Sequence, residues 1–140
     1  MRLTPRRSRL SFRCTIASRL TEADSLCRSL RNLMNEAGLA ARSFAVELLA
    51  RESLNNAVTH VNRSFADKTI RLELHVGRKW IRLKVADNGP GFDWRKARLG
   101  RCGLESESGR GLTLFTLYAE QVRFNRCGNQ ITLWLRRDRK

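Results

Sequence analysis

Apolar and polar residues alternate along this chain with two different periods. Leu10, Phe12, Cys14 and Ile16 alternate with Ser11, Arg13 and Thr15, the signature of a half-buried strand. Ala23, Leu26, Cys27, Leu30, Leu33 and Met34 then recur at three-and-four spacing, which predicts an amphipathic helix. Thr21 is its candidate N-cap, with Asp24 three residues on, and Gly38 is its candidate C-terminal cap. A second helix is predicted from near Ser43 to about Val61, with Phe44, Leu48, Leu49, Leu54, Ala57, Val58 and Val61 as its apolar stripe. Ile70, Leu72, Leu74 and Val76 return to period two. Gly77-Arg78 makes a turn, and Ile81, Leu83 and Val85 alternate back as the second arm of a hairpin. From Asp93 to Ser108 periodicity lapses, and a connection of that length suits a lid. Gly109-Arg110-Gly111 opens a third helix carrying Leu112, Leu114, Phe115, Leu117 and Tyr118. Val122 and Phe124, a turn at Cys127-Gly128-Asn129, and Ile131, Leu133 and Leu135 form a closing hairpin, with Trp134 on its other face. The order strand, helix, helix, strand, strand, lid, helix, strand, strand implies an α+β fold. It is a two-layer sandwich with helices on one face of a mixed, largely antiparallel sheet.

Composition narrows the class. A chain of 140 residues, 41% hydrophobic and 29% charged, suits one globular domain with one core. Residues 1–8 read as a basic N-terminal extension and residues 9–137 as the domain, with the lid at about 93–108. No apolar run is long enough to span a bilayer, and no apolar stretch of signal-peptide type follows the basic start, so a cytoplasmic protein is expected. Cys14, Cys27, Cys102 and Cys127 are scattered without metal-ligand spacing and are expected as free thiols. The net charge of +15 favours anionic partners, such as nucleotide phosphates, nucleic acid or an acidic protein; general solubility is the plain alternative.

Three stretches could carry chemistry. Asp87-Asn88-Gly89-Pro90-Gly91-Phe92 directly follows a strand. A carboxylate there can accept from an exocyclic amine while a flat ring approaches the bare backbone of the glycines. The same residue types also make ordinary tight turns. Glu52, Asn56 and His60 share one face of the second helix. Facing inward they need partners; facing outward they are a solvated stripe. Gly109-Arg110-Gly111 precedes a helix whose first N–H groups suit a phosphate, with Arg110 as an added cation, or it is simply a glycine cap.

Taken together and in this order, the three resemble the motifs of the GHKL ATPase superfamily, whose module is the Bergerat ATP-binding fold. Glu52-Ser53-Leu54-Asn55-Asn56-Ala57-Val58-Thr59-His60 is similar to the N box, Asp87 to Phe92 to the G1 box, and Gly109 to Leu112 to the G2 box. The small size, the Asn-Ala-x-x-His ending and the opening strand-helix-helix most resemble the anti-sigma factor serine/threonine kinases of bacteria. The resemblance runs from about Leu10 to Arg136.

What the resemblance implies is specific. ATP and Mg2+ are the cofactors. Asn56 holds the metal through its side-chain oxygen. Glu52 is the catalytic base or orienting group. Asp87 accepts from the adenine amino group, Gly89 and Gly91 admit the base and the lid, and Gly109, Arg110 and Gly111 cradle the phosphates. The implied substrate is a STAS-domain anti-sigma factor antagonist, the implied second partner is a sigma factor, and a homodimer follows by analogy. A membrane partner is not expected. An ATP-binding anti-sigma factor without phosphotransfer is the alternative, and a basic nucleic-acid module ranks last. Two features depart from the pattern. Asn55-Asn56 is doubled, with the spacing from Glu52 favouring Asn56, and Gly128 is followed by Asn129 where relatives often carry Gly-Thr. With no dimerisation helix before the module, His60 and His75 are poor phosphoacceptor candidates.

Overall fold

The computed structural model describes residues 9–61, 68–89 and 114–138. Its elements are β1 (Leu10–Ala17), α1 (Leu20–Glu36), α2 (Ala40–Val61), β2 (Thr69–Val76), β3 (Trp80–Asp87), β4 (Gln121–Phe124) and β5 (Gln130–Arg136). Residues 114–118 are also helical. The strands form one five-stranded sheet in the order β1-β2-β3-β5-β4, with every neighbouring pair antiparallel. The expected α+β architecture is therefore observed, with helices on one face of the sheet.

Period-two patterning accounts for the sheet. Ile70, Leu72, Leu74 and Val76 on β2 and Ile81, Leu83 and Val85 on β3 are all buried. Cross-strand pairs such as Leu72 with Val85 and Leu83 with Leu133 put these residues on one face, beneath the helices. Helix α1 contributes Ala23, Leu26, Cys27, Leu30 and Met34, the stripe that the spacing predicts. Helix α2 lies against α1 and against β3. Val46, Leu49, Ala50, Leu54 and Val58 fill the space between them.

Two helix starts and the facing of one residue differ from expectation. Helix α1 begins at Leu20 with Arg19 as its N-cap and no side-chain cap, so Thr21 lies inside the first turn. Helix α2 begins at Ala40, and the Ser43 hydroxyl donates back to the Ala40 carbonyl at 2.9 Å. Phe44 is 64% exposed, because the buried face of α2 runs through Ala45, Val46, Leu49 and Ala50 and leaves it outside. The end of α1 is as expected. Gly38 adopts φ 80°, its N–H donates to Asn35 at 3.2 Å, and the Leu39 N–H donates to Met34 at 2.8 Å. That pair of bonds is a Schellman motif, and it turns the chain directly into α2.

Ion pairs add a polar seam between the helices. Arg51 of α2 reaches Asp24 of α1 at 2.8 Å and Glu47 at 3.4 Å, and Arg31 of α1 also reaches Glu47 at 3.4 Å. Cys14, Cys27 and Cys127 are free thiols, as expected.

Candidate functional site

The second helix and the end of the third strand meet at one cavity. Strand β3 ends at Asp87, on the helix-covered side of the sheet, because it continues the alternation of Ile81, Leu83 and Val85. Helix α2 crosses above it. A small pocket, open to solvent, lies between them. Its polar wall is Ser53, Asn56, Asp87, Asn129 and Gln130, and its apolar wall includes Ala57, Val85, Phe115, Phe124 and Ile131. A mostly apolar, concave site with a few convergent polar groups suits the edge of a flat heteroaromatic ring.

Asp87 is held through its side chain and through its backbone. The Gly89 N–H donates to its Oδ1 at 2.7 Å, closing an Asx turn. Its own backbone N–H donates to the Asn129 carbonyl at 2.9 Å. Burial pushes the carboxyl above its ordinary value, against the opposing pull of the Gly89 N–H and the positive charge of Lys68. A carboxylate partly stripped of water gains from a further donor. An amino group on a ring seated in the cavity is such a donor.

The rim is built by three asparagines. Asn88 accepts from the Thr69 N–H through its Oδ1, and its carbonyl accepts from Lys68 Nζ, each at 3.2 Å. Asn125 Oδ1 accepts from the N–H groups of Gly128, Asn129 and Gln130 at 2.8, 3.0 and 3.2 Å, which organises the turn between β4 and β5. Gly128 has φ 78° there, a backbone state that a Cβ disfavours. The turn presents Asn129, whose Nδ2 donates to the Gly89 carbonyl at 3.1 Å.

Of the residues expected at the site, Asn56 and Asp87 line one cavity, and Gly89 is buried beside Asp87. Glu52 is half-buried one turn before Asn56 and is not among the cavity's lining residues. Gly91, Gly109, Arg110, Gly111, the lid at 93–108 and the extension at 1–8 lie outside the described residues, as does the side chain of His60. Sequence reasoning did not assign Ser53, Phe115, Phe124, Asn129 or Gln130 to the site. The turn at Cys127-Gly128-Asn129 was legible, but a turn carries no sign of what it faces. Among the described residues no cluster of His, Cys, Asp or Glu is arranged to hold a metal ion. Any cation site here would rest on neutral oxygens such as that of Asn56, helped by the ligand's own phosphates.

A helix-covered antiparallel sheet, with an acidic strand end and an Asn-bearing helix around an apolar slot, defines a nucleotide-binding module. The model of the histidine kinase-like ATPase domain matches residues 16–136, and the chain belongs to that family. ATP binding comes with that membership. A search among curated proteins finds no match. Among the described residues no helix is long and apolar enough to cross a membrane.

Proposed function

We propose that this protein is an ATP-dependent serine/threonine kinase of the anti-sigma factor type. Its substrate would be a hydroxyl of a STAS-domain antagonist, and in its alternate state it would sequester a sigma factor in the cytoplasm of a bacterium. The observation that supports ATP use at this site is the convergence of Asn56 and Asp87, from elements 31 positions apart, on one cavity. The kinase reading rests further on the resemblance of the Glu52 to His60 stretch and on the small size of the module.

The residues fit the group that the family binds. Asp87 is a partly desolvated acceptor positioned for an amino group. Ala57, Val85, Phe124 and Ile131 provide apolar walls for a ring. Asn56 would contribute an amide oxygen to Mg2+. Bound Mg-ATP would supply the transferable phosphoryl group and the charge compensation for it. Glu52 would take the proton of the attacking serine or threonine hydroxyl. Gly109, Arg110 and Gly111 would hold the phosphates. A homodimer is the assembly we propose.

A second reading has one observation in its favour. Glu52 stands outside the lining of the cavity, as it could in a protein that binds ATP and a sigma factor without transferring phosphate. Glu52→Gln separates the two. The variant is mixed with γ-labelled ATP and an antagonist protein. Kinase action predicts that label transfer falls at least a hundredfold while ATP affinity stays within threefold. Unchanged transfer, or none from the unaltered protein, rejects the kinase reading.

A further inference from the structure

Helices α1 and α2 cover one face of the sheet, and no described element covers the other. Strand register defines what that open face carries. Arg13 of β1 lies opposite Glu73 of β2, which lies opposite Lys84 of β3. His75 lies opposite Arg82, and Arg82 opposite Trp134 of β5. Trp80 lies opposite Arg136, and Thr132 opposite Arg123 of β4. The cations on this face are Arg13, Arg71, Arg82, Lys84, Arg123 and Arg136. Glu73 is the one carboxylate that the five strands place here, and Arg71 engages it at 3.2 Å.

Two indoles are set among these cations. The Arg136 guanidinium lies 5.2 Å from the ring centroid of Trp80, and that of Arg123 lies 5.6 Å from the ring centroid of Trp134. Cation–π attraction holds each guanidinium over one face of its indole. Trp80 is nonetheless 40% exposed. A recess of about 530 Å³ opens on the same face, lined by Ser11, Arg13, Glu73, His75 and Arg82 among others.

We propose that this open sheet face binds single-stranded nucleic acid, with phosphates on the arginine and lysine rows and bases against Trp80 and Trp134. Charge complementarity calls for a polyanion. The centre of the face distinguishes which one. A protein interface is depleted of charge at its core. Here Arg82 and Lys84 occupy the middle strand, and apart from the two indoles the apolar side chains that the strands place on this face are Ala17 and Ala86. Aromatic platforms among cations are what unpaired bases and a phosphodiester backbone use.

Shape argues against insertion into a duplex major groove. Five strands at the usual spacing span about 19 Å, wider than the roughly 12 Å major groove. Arg82 and Lys84, two residues apart, are separated by about 7 Å along the strand, twice the 3.4 Å rise per nucleotide of a stacked duplex strand. That separation suits a strand whose bases are splayed. The surface is distinct from the ATP cavity, on the opposite side of the sheet, and the proposal does not depend on the kinase reading.

The test uses the full chain and a fluorescein-labelled 20-mer of thymidylate, titrated by anisotropy from 50 to 300 mM salt. Trp80→Ala and Trp134→Ala are each expected to weaken binding about tenfold, the usual loss of one stacked base. Arg82→Gln/Lys84→Gln is expected to lower the slope of log K against log salt by about 1.4. Arg28→Gln/Arg31→Gln, an equal loss of charge on the opposite side, is expected to change the slope by less than half as much. Trp134→Phe, which keeps a ring, is expected to restore most of the affinity if Trp134→Ala proves poorly folded by circular dichroism. Equal losses from both charge variants would reduce the effect to net charge and overturn the proposal. Absence of binding at 50 mM salt, tighter binding of duplex than of single strand, or equal competition by polyglutamate would each overturn it too.

Discussion

The Nδ2 of Asn129 donates to the carbonyl of Gly89 at 3.1 Å, joining the last hairpin turn to the loop that carries Asp87. The two backbones are also linked, by the bond from the Asp87 N–H to the Asn129 carbonyl. Strand β5 lies beside β3, so the turn before β5 reaches the end of β3 without any long connection. Asn129→Ala removes the side-chain bond to Gly89 and the one that its Oδ1 accepts from Asn125 Nδ2 at 2.6 Å, and keeps the backbone one. The expected outcome is a loss of about 1 kcal/mol in urea unfolding. Affinity for ATP should also weaken about fivefold, because the Asp87 loop is less well held. Calorimetric titration and denaturation measure both.

Asp87 gives the site a pH dependence with a definite sign. Its folded value lies above the ordinary 3.8 because burial disfavours the charge. The contribution of this group to stability is therefore full below 3.8 and is lost as pH rises through the folded value. Asp87→Asn should make the ligand-free protein at least as stable as the wild type at pH 7, since it removes a half-buried charge. ATP binding should behave in the opposite way, declining as pH falls through the folded value, because a protonated carboxyl accepts less well. Thermal melts and titrations from pH 4 to 8 test the two trends.

The thiols should separate by environment. Burial pushes the Cys27 thiol up to about 11, and Cys27 is fully buried in the core. Cys127 is exposed in the β4–β5 turn, and Cys14 is half-buried on the edge strand. Among these three, at pH 7.5 a thiol reagent should label Cys127 first, then Cys14, and should reach Cys27 only on unfolding. Peptide mapping by mass spectrometry reads the order. Early labelling of Cys27 would mean that α1 does not pack as described.

Gly38 is the point where local backbone chemistry fixes the helix pair. With φ at 80°, replacement by Ala strains the Schellman turn between α1 and α2. Gly38→Ala should cost about 1 kcal/mol in denaturant unfolding. An unchanged midpoint would show that the turn can adopt another geometry.

Much of this fold was legible because burial imposes a period. The strands could be read from Ile70 to Val76 and from Ile81 to Val85, since a two-residue repeat has one explanation on a one-sided sheet. Helix α1 could be read for the same reason. Helix α2 was legible as a helix but not in its facing. It is buried against α1 on one side and the sheet on another, which blurs a single stripe and misled the placement of Phe44. Of the site, Asn56 and Asp87 were legible because short motifs carry them. Phe124 and Asn129 were not, since their place at the site depends on β5 pairing with β3, which no local pattern encodes, and Phe115 was not, since the period of a helix does not name what it packs against. The open basic face was hidden likewise, because its rows come together only through the register of five strands.

Enclosure of an adenine nucleotide by Asp87 and Asn56 can be read from calorimetry with ATP, ADP and GTP, with and without Mg2+. The purine position that carries an amino group in adenine carries a carbonyl in guanine, which would confront the Asp87 carboxylate with a second acceptor. The wild type should bind ATP and ADP and reject GTP, Mg2+ should tighten ATP, and Asp87→Asn should lose adenine binding. Equal binding of GTP, or full ATP affinity in Asp87→Asn, would contradict it.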